Sequence, residues 1–178
     1  MTTYTARAIP PAALAQLRAV DDAGRACRPF TADEETAGNP LRCCLRPSRA
    51  GERIALVSYA PLRRWAAEHG AEPGAYDEQG PVFVHAEECG GPDPAPTAYP
   101  FDRPGALRTL RRYDAQGRIV GGRLLEIPEA PTEGFDRAFA EAFADPAVAL
   151  VHVRAVEYGC FHYEVRRTPG TSGAPDAP

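Results

Sequence analysis

The sequence contains no lysine, and all 20 of its basic residues are arginine. Biased base composition in the coding DNA explains this usage, as the abundance of alanine, proline and glycine also indicates; the alternative is selection for guanidinium chemistry. Acidic residues outnumber the arginines, and the net charge is -4. Because non-specific affinity for nucleic acid depends on an excess of positive charge, we expect no nucleic-acid partner.

The sequence also lacks an apolar run near the length of a membrane span, about 18 residues. Residues 1–20 do not have the charged-then-apolar order of a signal peptide. We therefore expect a cytoplasmic protein with no membrane partner. The 178 residues suffice for one domain with a sizeable core and are too few for two comfortable ones. The sequence leaves the oligomeric state open.

Motifs of several common enzyme classes are missing. The chain has no Walker loop, no glycine-rich dinucleotide turn after a strand, no Gly-x-Ser-x-Gly elbow and no His-Glu-x-x-His. These absences remove the common nucleotide-binding, hydrolase and metalloprotease interpretations. Whether the protein is an enzyme stays open at this point.

Five cysteines are present: Cys27, Cys43, Cys44, Cys89 and Cys160. Their number is odd and the chain is large enough to fold without cross-links, so we expect reduced thiols rather than a disulfide framework. Cys43 and Cys44 lie in a predicted strand, where adjacent side chains point to opposite faces. They are therefore expected to be a poor intrachain pair.

Turn residues and hydrophobic periodicity divide the chain into short elements. Strands are predicted at residues 41–45, 53–59, 82–86, 107–114, 118–127 and on both arms of 147–167; helices are predicted at about 10–20, at 61–69 and from a Thr132 cap to about 144. In the last helix Phe135, Phe139 and Phe143 recur every four residues, which predicts a buried stripe.

Hairpins without a β-α-β repeat predict the fold class. We expect a single α+β domain over residues 1–167, mainly an antiparallel sheet built from hairpins with two or three short helices packed on it. Residues 168–178 consist almost entirely of proline, glycine, serine, threonine and alanine. They are predicted to be a disordered tail.

The stretch 147–167 predicts a hairpin whose polar side chains share one face. Apolar and polar residues alternate on both arms, and a three-residue loop ending at Gly159 sets the register. His152 would then lie opposite Glu164. Arg154 would lie opposite His162, because a slip of one residue would set apolar side chains against polar ones along the whole ladder. The polar face would carry His152, Arg154, Cys160, His162 and Glu164.

This face predicts a pocket that binds, or acts on, a small anionic molecule. Cys160 would be the thiol, with His162 or His85 as its proton partner. Arg154 would hold the anion, and His152 would be a positioned acid or base. The simpler alternative is that Cys160 is a small buried residue and the histidines belong to a half-exposed strand face.

Zinc binding is the alternative function. His85 and Cys89 are spaced His-x-x-x-Cys across the end of a predicted strand. Together with Cys160 and His162 they make a tetrahedral set of two cysteines and two histidines, although no Cys-x-x-Cys knuckle is present. Glu164 or Glu78 would support these ligands. A third interpretation is a non-catalytic interaction module, in which residues 90–104 or the tail contact a partner.

Short motifs between residues 40 and 167 carry a family resemblance. They are Leu41-Arg42-Cys43-Cys44-Leu45-Arg46, Gly51-Glu52-Arg53, Ala75-Tyr76, Gly80-Pro81-Val82-Phe83-Val84-His85, Leu110-Arg111-Arg112-Tyr113-Asp114, His152-Val153-Arg154 and Tyr158-Gly159-Cys160-Phe161. Together they resemble a bacterial family known as domain of unknown function 1203. The family has no assigned activity, so the resemblance implies the bounds of the fold and singles out His152, Gly159 and Cys160 as typical positions.

Overall fold

The structure is a computed structural model that describes residues 2–167. The predicted tail, residues 168–178, lies outside the described residues. In the described range the helices are α1 (Pro11–Leu17), α2 (Pro61–His69) and α3 (Pro131–Ala144). The strands are β1 (Phe30–Thr31), β2 (Pro40–Leu41), β3 (Arg46–Pro47), β4 (Arg53–Tyr59), β5 (Gly80–His85), β6 (Leu107–Tyr113), β7 (Ile119–Glu126), β8 (Leu150–Ala155) and β9 (Phe161–Arg166). No helix within residues 2–167 is both long and apolar enough to span a membrane.

The strands form two sheets. The five-stranded sheet has the order β1-β4-β5-β2-β3, and the four-stranded sheet has the order β7-β6-β8-β9. Every neighbouring pair is antiparallel except β2 and β5, which run parallel. The predicted single α+β domain is confirmed, with its strands divided between two sheets.

Helix α3 covers one face of the four-stranded sheet. Phe135, Phe139 and Phe143 are buried in one cluster with Val151 and Tyr163, so the predicted stripe is core. The predicted cap at Thr132 is wrong. The helix begins one residue earlier at Pro131, and Ala130 is the N-cap with no side-chain hydrogen bond. Proline is well suited to this first position, because its missing N–H would have no partner there.

Helix α2 covers the opposite face of the same sheet. It ends as predicted, with Gly70 in the left-handed conformation at φ 65°. Its Leu62 and Trp65 pack in one cluster with Tyr113 and Leu150. Burial on both faces makes the four-stranded sheet the centre of the domain.

The C-terminal hairpin has the predicted register over most of its length. His152 pairs with Glu164 and Val153 with Tyr163, but Arg154 pairs with Phe161 instead of His162. The prediction that Arg154 lies across from His162 is therefore wrong. A β-bulge inserts His162 as an extra residue in β9, which shifts the pairing of Arg154, next to the loop, by one residue.

The bulge also changes the surroundings of Phe161. Its ring packs in the core of the five-stranded sheet and not in the α3 cluster, and it contacts Tyr59 edge-on at a centroid distance of 5.6 Å. One irregular residue thereby joins the two sheets.

Candidate metal centre

A tight turn places Cys43 and Cys44 on the same side of the chain. Residues 42–45 form this turn between β2 and β3, with the Leu45 N–H donating to the Leu41 carbonyl over 2.9 Å. Leu45 closes it in the left-handed conformation at φ 58°. The predicted strand at 41–45 is therefore wrong, as is the expectation that the two cysteines point apart: their sulfurs are 4.0 Å from each other. Consecutive residues of a helical turn are rotated by roughly 100°, not by the 180° of a strand.

Strand β5 brings His85 to the two thiols. Leu41 pairs with Phe83 in parallel, which sets the end of β5 beside the turn. His85 Nδ1 lies 3.3 Å from the Cys43 sulfur and 3.7 Å from the Cys44 sulfur. The His85 backbone N–H also donates to the Cys43 sulfur over 3.1 Å, an interaction that stabilises negative charge on sulfur.

Cys89 completes the cluster from the irregular segment that follows β5. The ligand atoms of Cys43, Cys44, His85 and Cys89 all lie within 4.8 Å of one another. Three of the residues are buried and Cys89 is half-buried. A zinc ion with bonds of about 2.3 Å to sulfur and 2.0 Å to nitrogen has tetrahedral edges of about 3.8 Å between sulfurs and about 3.5 Å between sulfur and nitrogen. The Cys43–Cys44 sulfur separation and the two distances from His85 Nδ1 to these sulfurs are close to these edge lengths.

The far side of the His85 ring meets a charged pair. Its Nε2 lies 3.6 Å from Glu52 Oε2 and 3.3 Å from Arg46 Nη2, and Arg46 and Glu52 form an ion pair of 2.6 Å. The hydrogen bond from Arg46 is the main cause that lowers the pKa of Glu52 to about 2. A guanidinium can only donate, so the 3.3 Å contact with Arg46 makes Nε2 an acceptor and places the Nδ1–H toward the sulfurs. A metal at Nδ1 would require the proton on Nε2, where the Glu52 carboxylate is the nearby acceptor.

The two adjacent thiols differ in acidity. A hydrogen bond from Cys43 to the Cys44 sulfur lowers the pKa of Cys44 to about 6, with further help from the Arg46 backbone N–H and the charges of His85 and Arg46. The same hydrogen bond and burial raise the pKa of Cys43. The opposite pKa directions make Cys44 the more readily deprotonated of these two soft ligands.

Only half of the predicted zinc set lies here. His85 and Cys89 belong to the cluster, whereas Cys160 and His162 lie at a different cavity, a groove described below. Their places are taken by Cys43 and Cys44. The predicted supports are also elsewhere: Glu164 contacts His152, and Glu78 contacts Arg111 and Arg154. The sequence offers Cys43 and Cys44 as further thiols that could join the His-x-x-x-Cys pair. It gives no sign of the turn that brings them together, because residues 41–46 contain neither glycine nor proline.

The predicted catalytic side chains are divided among different surroundings. Arg154 bonds Glu78 at 2.7 Å and donates to the Gly159 carbonyl over 2.9 Å, so its guanidinium already has partners. His152 is fully buried, with its Nε2 3.3 Å from Glu164 Oε2. Burial is the main cause that lowers the pKa of His152. The Arg154 clamp and the His152 acid or base therefore both have structural partners.

Cys160 lies between two cavities. One is small and is shared with Arg154 and Glu78, and the other is a larger groove shared with His162. The Cys160 thiol contacts the Tyr158 carbonyl at 3.7 Å. Burial, and then the charges of Arg42 and Arg108, lower the pKa of His162 to about 3. An imidazole held this strongly in its neutral form is a weak proton acceptor.

Comparisons with known proteins place the chain by family alone. No curated protein and no solved structure matches it. A family model described as "Protein of unknown function (DUF1203)" matches residues 38–167. All four members of the cysteine–histidine cluster lie inside this range. The match covers most of the sequence and confirms the resemblance: the chain belongs to the DUF1203 family.

Proposed function

We propose that this protein binds a zinc ion through Cys43, Cys44, His85 and Cys89. The observation that carries the proposal is the convergence of four ligand atoms within 4.8 Å from three separate parts of the chain. Three sulfurs and one imidazole nitrogen are an established donor set for tetrahedral zinc. Soft thiolate ligands favour zinc over magnesium or calcium, which prefer oxygen.

The proposed role is structural. All four tetrahedral positions would be filled by protein side chains, which is typical of structural zinc and leaves no place for a reacting water. The ion would join the 42–45 turn, the end of β5 and Cys89 in the segment 86–106, a segment without a helix or strand. Metal binding would thereby contribute directly to the stability of this part of the fold.

Metal content tests the proposal. The full chain is purified without a chelator and without a metal-binding affinity tag, and its metals are measured by mass spectrometry. We expect one zinc per chain in the wild type and less than about a tenth of that in Cys89→Ser, because three ligands bind much more weakly than four. Cys160→Ser is the matched control, since it removes a thiol outside the cluster, and it should keep its zinc.

Cobalt substitution identifies the ligands independently. Tetrahedral cobalt bound by thiolates shows intense sulfur-to-metal charge-transfer absorption that oxygen-bound cobalt lacks. We expect this absorption in the wild type and in Cys160→Ser, with a clear loss of intensity in Cys43→Ser. A wild-type protein that takes up neither zinc nor cobalt at stoichiometric amounts would overturn the proposal.

Thiol protection provides a third readout. In the zinc-loaded protein Cys43, Cys44 and Cys89 should react slowly with a disulfide reagent, because a metal-bound thiolate is shielded from it. Removal of the ion with a strong chelator should release these thiols within the same protein sample. Equal reactivity before and after chelation would contradict metal ligation by these three residues.

A further inference from the structure

A groove of about 900 Å³ runs between the two sheets, at a different place from the metal centre. Leu56 and Phe83, cross-strand neighbours on β4 and β5, contribute to its apolar side, together with Phe101. His162 from the four-stranded sheet also lines it, and the His162 and Phe101 rings meet at 5.0 Å. Leu56 remains 51% exposed, so the groove presents an uncovered apolar surface. Its volume lies in the range of small-molecule sites.

Two buried arginines also line this groove. Arg42 is 3% exposed and Arg108 is 7% exposed. The hydrogen bonds of Arg42 go to backbone carbonyls of Pro40 and Phe161. Those of Arg108 go to the carbonyls of Leu107 at 2.7 Å and of Phe101 at 2.8 Å. Carbonyl groups satisfy N–H donors but do not neutralise a charge.

Neither guanidinium forms an ion pair with a carboxylate within residues 2–167. The Nε of Arg108 is buried and has no hydrogen-bond partner in the same part of the chain. Buried charges are normally paired, because removal of an ion from water has a large free-energy cost that only an opposite charge or strong hydrogen bonds offset. These two arginines are therefore buried at the groove without an ion-pair partner among residues 2–167.

Other charged residues lie nearer the surface. Asp102 is half-exposed, and Glu157 and Arg103 are exposed, and all three also line the groove. Glu157 is close enough to raise the pKa of Arg108, although burial lowers it overall. The lining thus has three arginines and two acids, and only arginines of this set are buried. This separation leaves the positive charge in the interior of the groove.

We propose that the groove binds a small amphipathic oxyanion, with its carboxylate or phosphate head at Arg42 and Arg108 and its apolar body against Leu56, Phe83 and Phe101. Guanidinium groups recognise both head groups through paired N–H donors. The neutral ring of His162 adds an uncharged partner beside them. This inference uses other residues than the zinc proposal and does not depend on it.

Calorimetric titration of the zinc-loaded or as-purified full chain tests the inference. The probes are decanoate, decyl phosphate, decanol and decylammonium, which share one apolar chain and differ in head group. We expect decanoate or decyl phosphate to bind at least tenfold more tightly than the neutral and cationic probes. The stronger of the two anions identifies the head group, and added salt should weaken its binding.

Variants locate the bound anion. Arg108→Met should weaken binding of the anion at least tenfold, whereas Arg112→Met, on the same strand but outside the groove lining, should leave it unchanged. Arg42 and Arg108 are both buried and each donates to two backbone carbonyls, so replacement of either residue can disturb folding. Leu56→Glu avoids that difficulty, because it places a negative charge at an exposed wall position and should repel the anion.

Three results would overturn the inference. The first is the absence of measurable binding of both anions to the wild type, and the second is equal binding of decylammonium. The third is unchanged affinity in Leu56→Glu. Zinc content and thermal unfolding of each variant are measured alongside, so that failure of the metal centre is distinguished from failure of the groove.

Discussion

His152 lies directly opposite Glu164 on the C-terminal hairpin, and its Nε2 is 3.3 Å from the Glu164 carboxylate. The imidazole is fully buried between the Tyr113 ring at 4.7 Å and the Phe161 ring at 5.1 Å. Burial is the largest single influence on the pKa of Glu164 and acts to raise it. The hydrogen bond with His152 and the charge of Arg166 together outweigh burial, so the pKa is lowered. A neutral histidine that donates to a buried carboxylate explains both pKa directions.

The buried contacts of Glu164 should contribute more to stability than the exposed ion pair of Glu68 with Arg166. Glu164→Gln removes a carboxylate that is 9% exposed and bonds both His152 and Arg166, so we expect the free energy of unfolding to fall by about 2 kcal/mol. Glu68→Gln is the control. It removes the other partner of Arg166, which is 51% exposed, and should cost less than about 0.5 kcal/mol because water screens the charge. Urea denaturation measures both, and equal losses would contradict a special role for the buried pair.

His162 should make the protein less stable in acid. In the unfolded chain its imidazole binds a proton below about pH 6.5, whereas the folded ring resists protonation down to about pH 3. Between these values the unfolded state binds more protons, so stability falls as the pH is lowered, by up to about 1.4 kcal/mol per pH unit for this group.

The variant His162→Leu isolates this contribution. His152 and Glu164 act in the same direction and remain in the variant, so the expected result is a smaller slope, not a flat profile. Urea denaturation from pH 7 to pH 4.5 measures the free energy of unfolding for both proteins. Parallel curves would show that the folded ring is protonated as readily as the unfolded one.

Cys160 tests the catalytic interpretation of the hairpin. Its thiol contacts a backbone carbonyl, and the nearby His162 is a weak proton acceptor, so we expect alkylation by iodoacetamide at pH 7 at the rate of an ordinary partly exposed cysteine. Mass spectrometry of the modified peptide measures the rate at this residue. A rate at least tenfold higher that is lost in His162→Leu would instead establish Cys160 as an activated nucleophile.

Replacement of Gly134 by alanine should destabilise α3, although alanine is usually the more stable residue in a helix. A Cβ at this position of α3 would lie 2.5 Å from Cγ of Pro128, whose ring is rigid. Gly134→Ala should therefore lower the free energy of unfolding by about 1 to 3 kcal/mol, although alanine is normally favoured by about 1 kcal/mol. Gly122→Ala is the control, since its Cβ would meet the Leu110 carbonyl at an ordinary 3.6 Å. A stabilising Gly134→Ala would show that Pro128 moves aside.

Local patterns were sufficient for elements whose cause is local. The beginning and end of α2 are marked by Pro61 and Gly70. The four-residue spacing of Phe135, Phe139 and Phe143 marks the buried side of α3. Period-two alternation set the pairing of His152 with Glu164, because a slip of one residue would have set apolar side chains against polar ones. Two members of the cysteine–histidine cluster, His85 and Cys89, were also singled out from the sequence, since they lie four residues apart.

Other features depend on contacts between residues far apart in the sequence, and only the tertiary structure decided them. The left-handed conformation of Leu45 and the bulge at His162 have no signal in a single sequence. The first closes the turn that brings Cys43 and Cys44 together. The second separates Arg154 from its predicted partner. The parallel pairing of β2 with β5 then brings the turn to His85. The same long-range packing buries Arg42 and Arg108 beside one groove, because a residue's burial depends on which distant segments cover it.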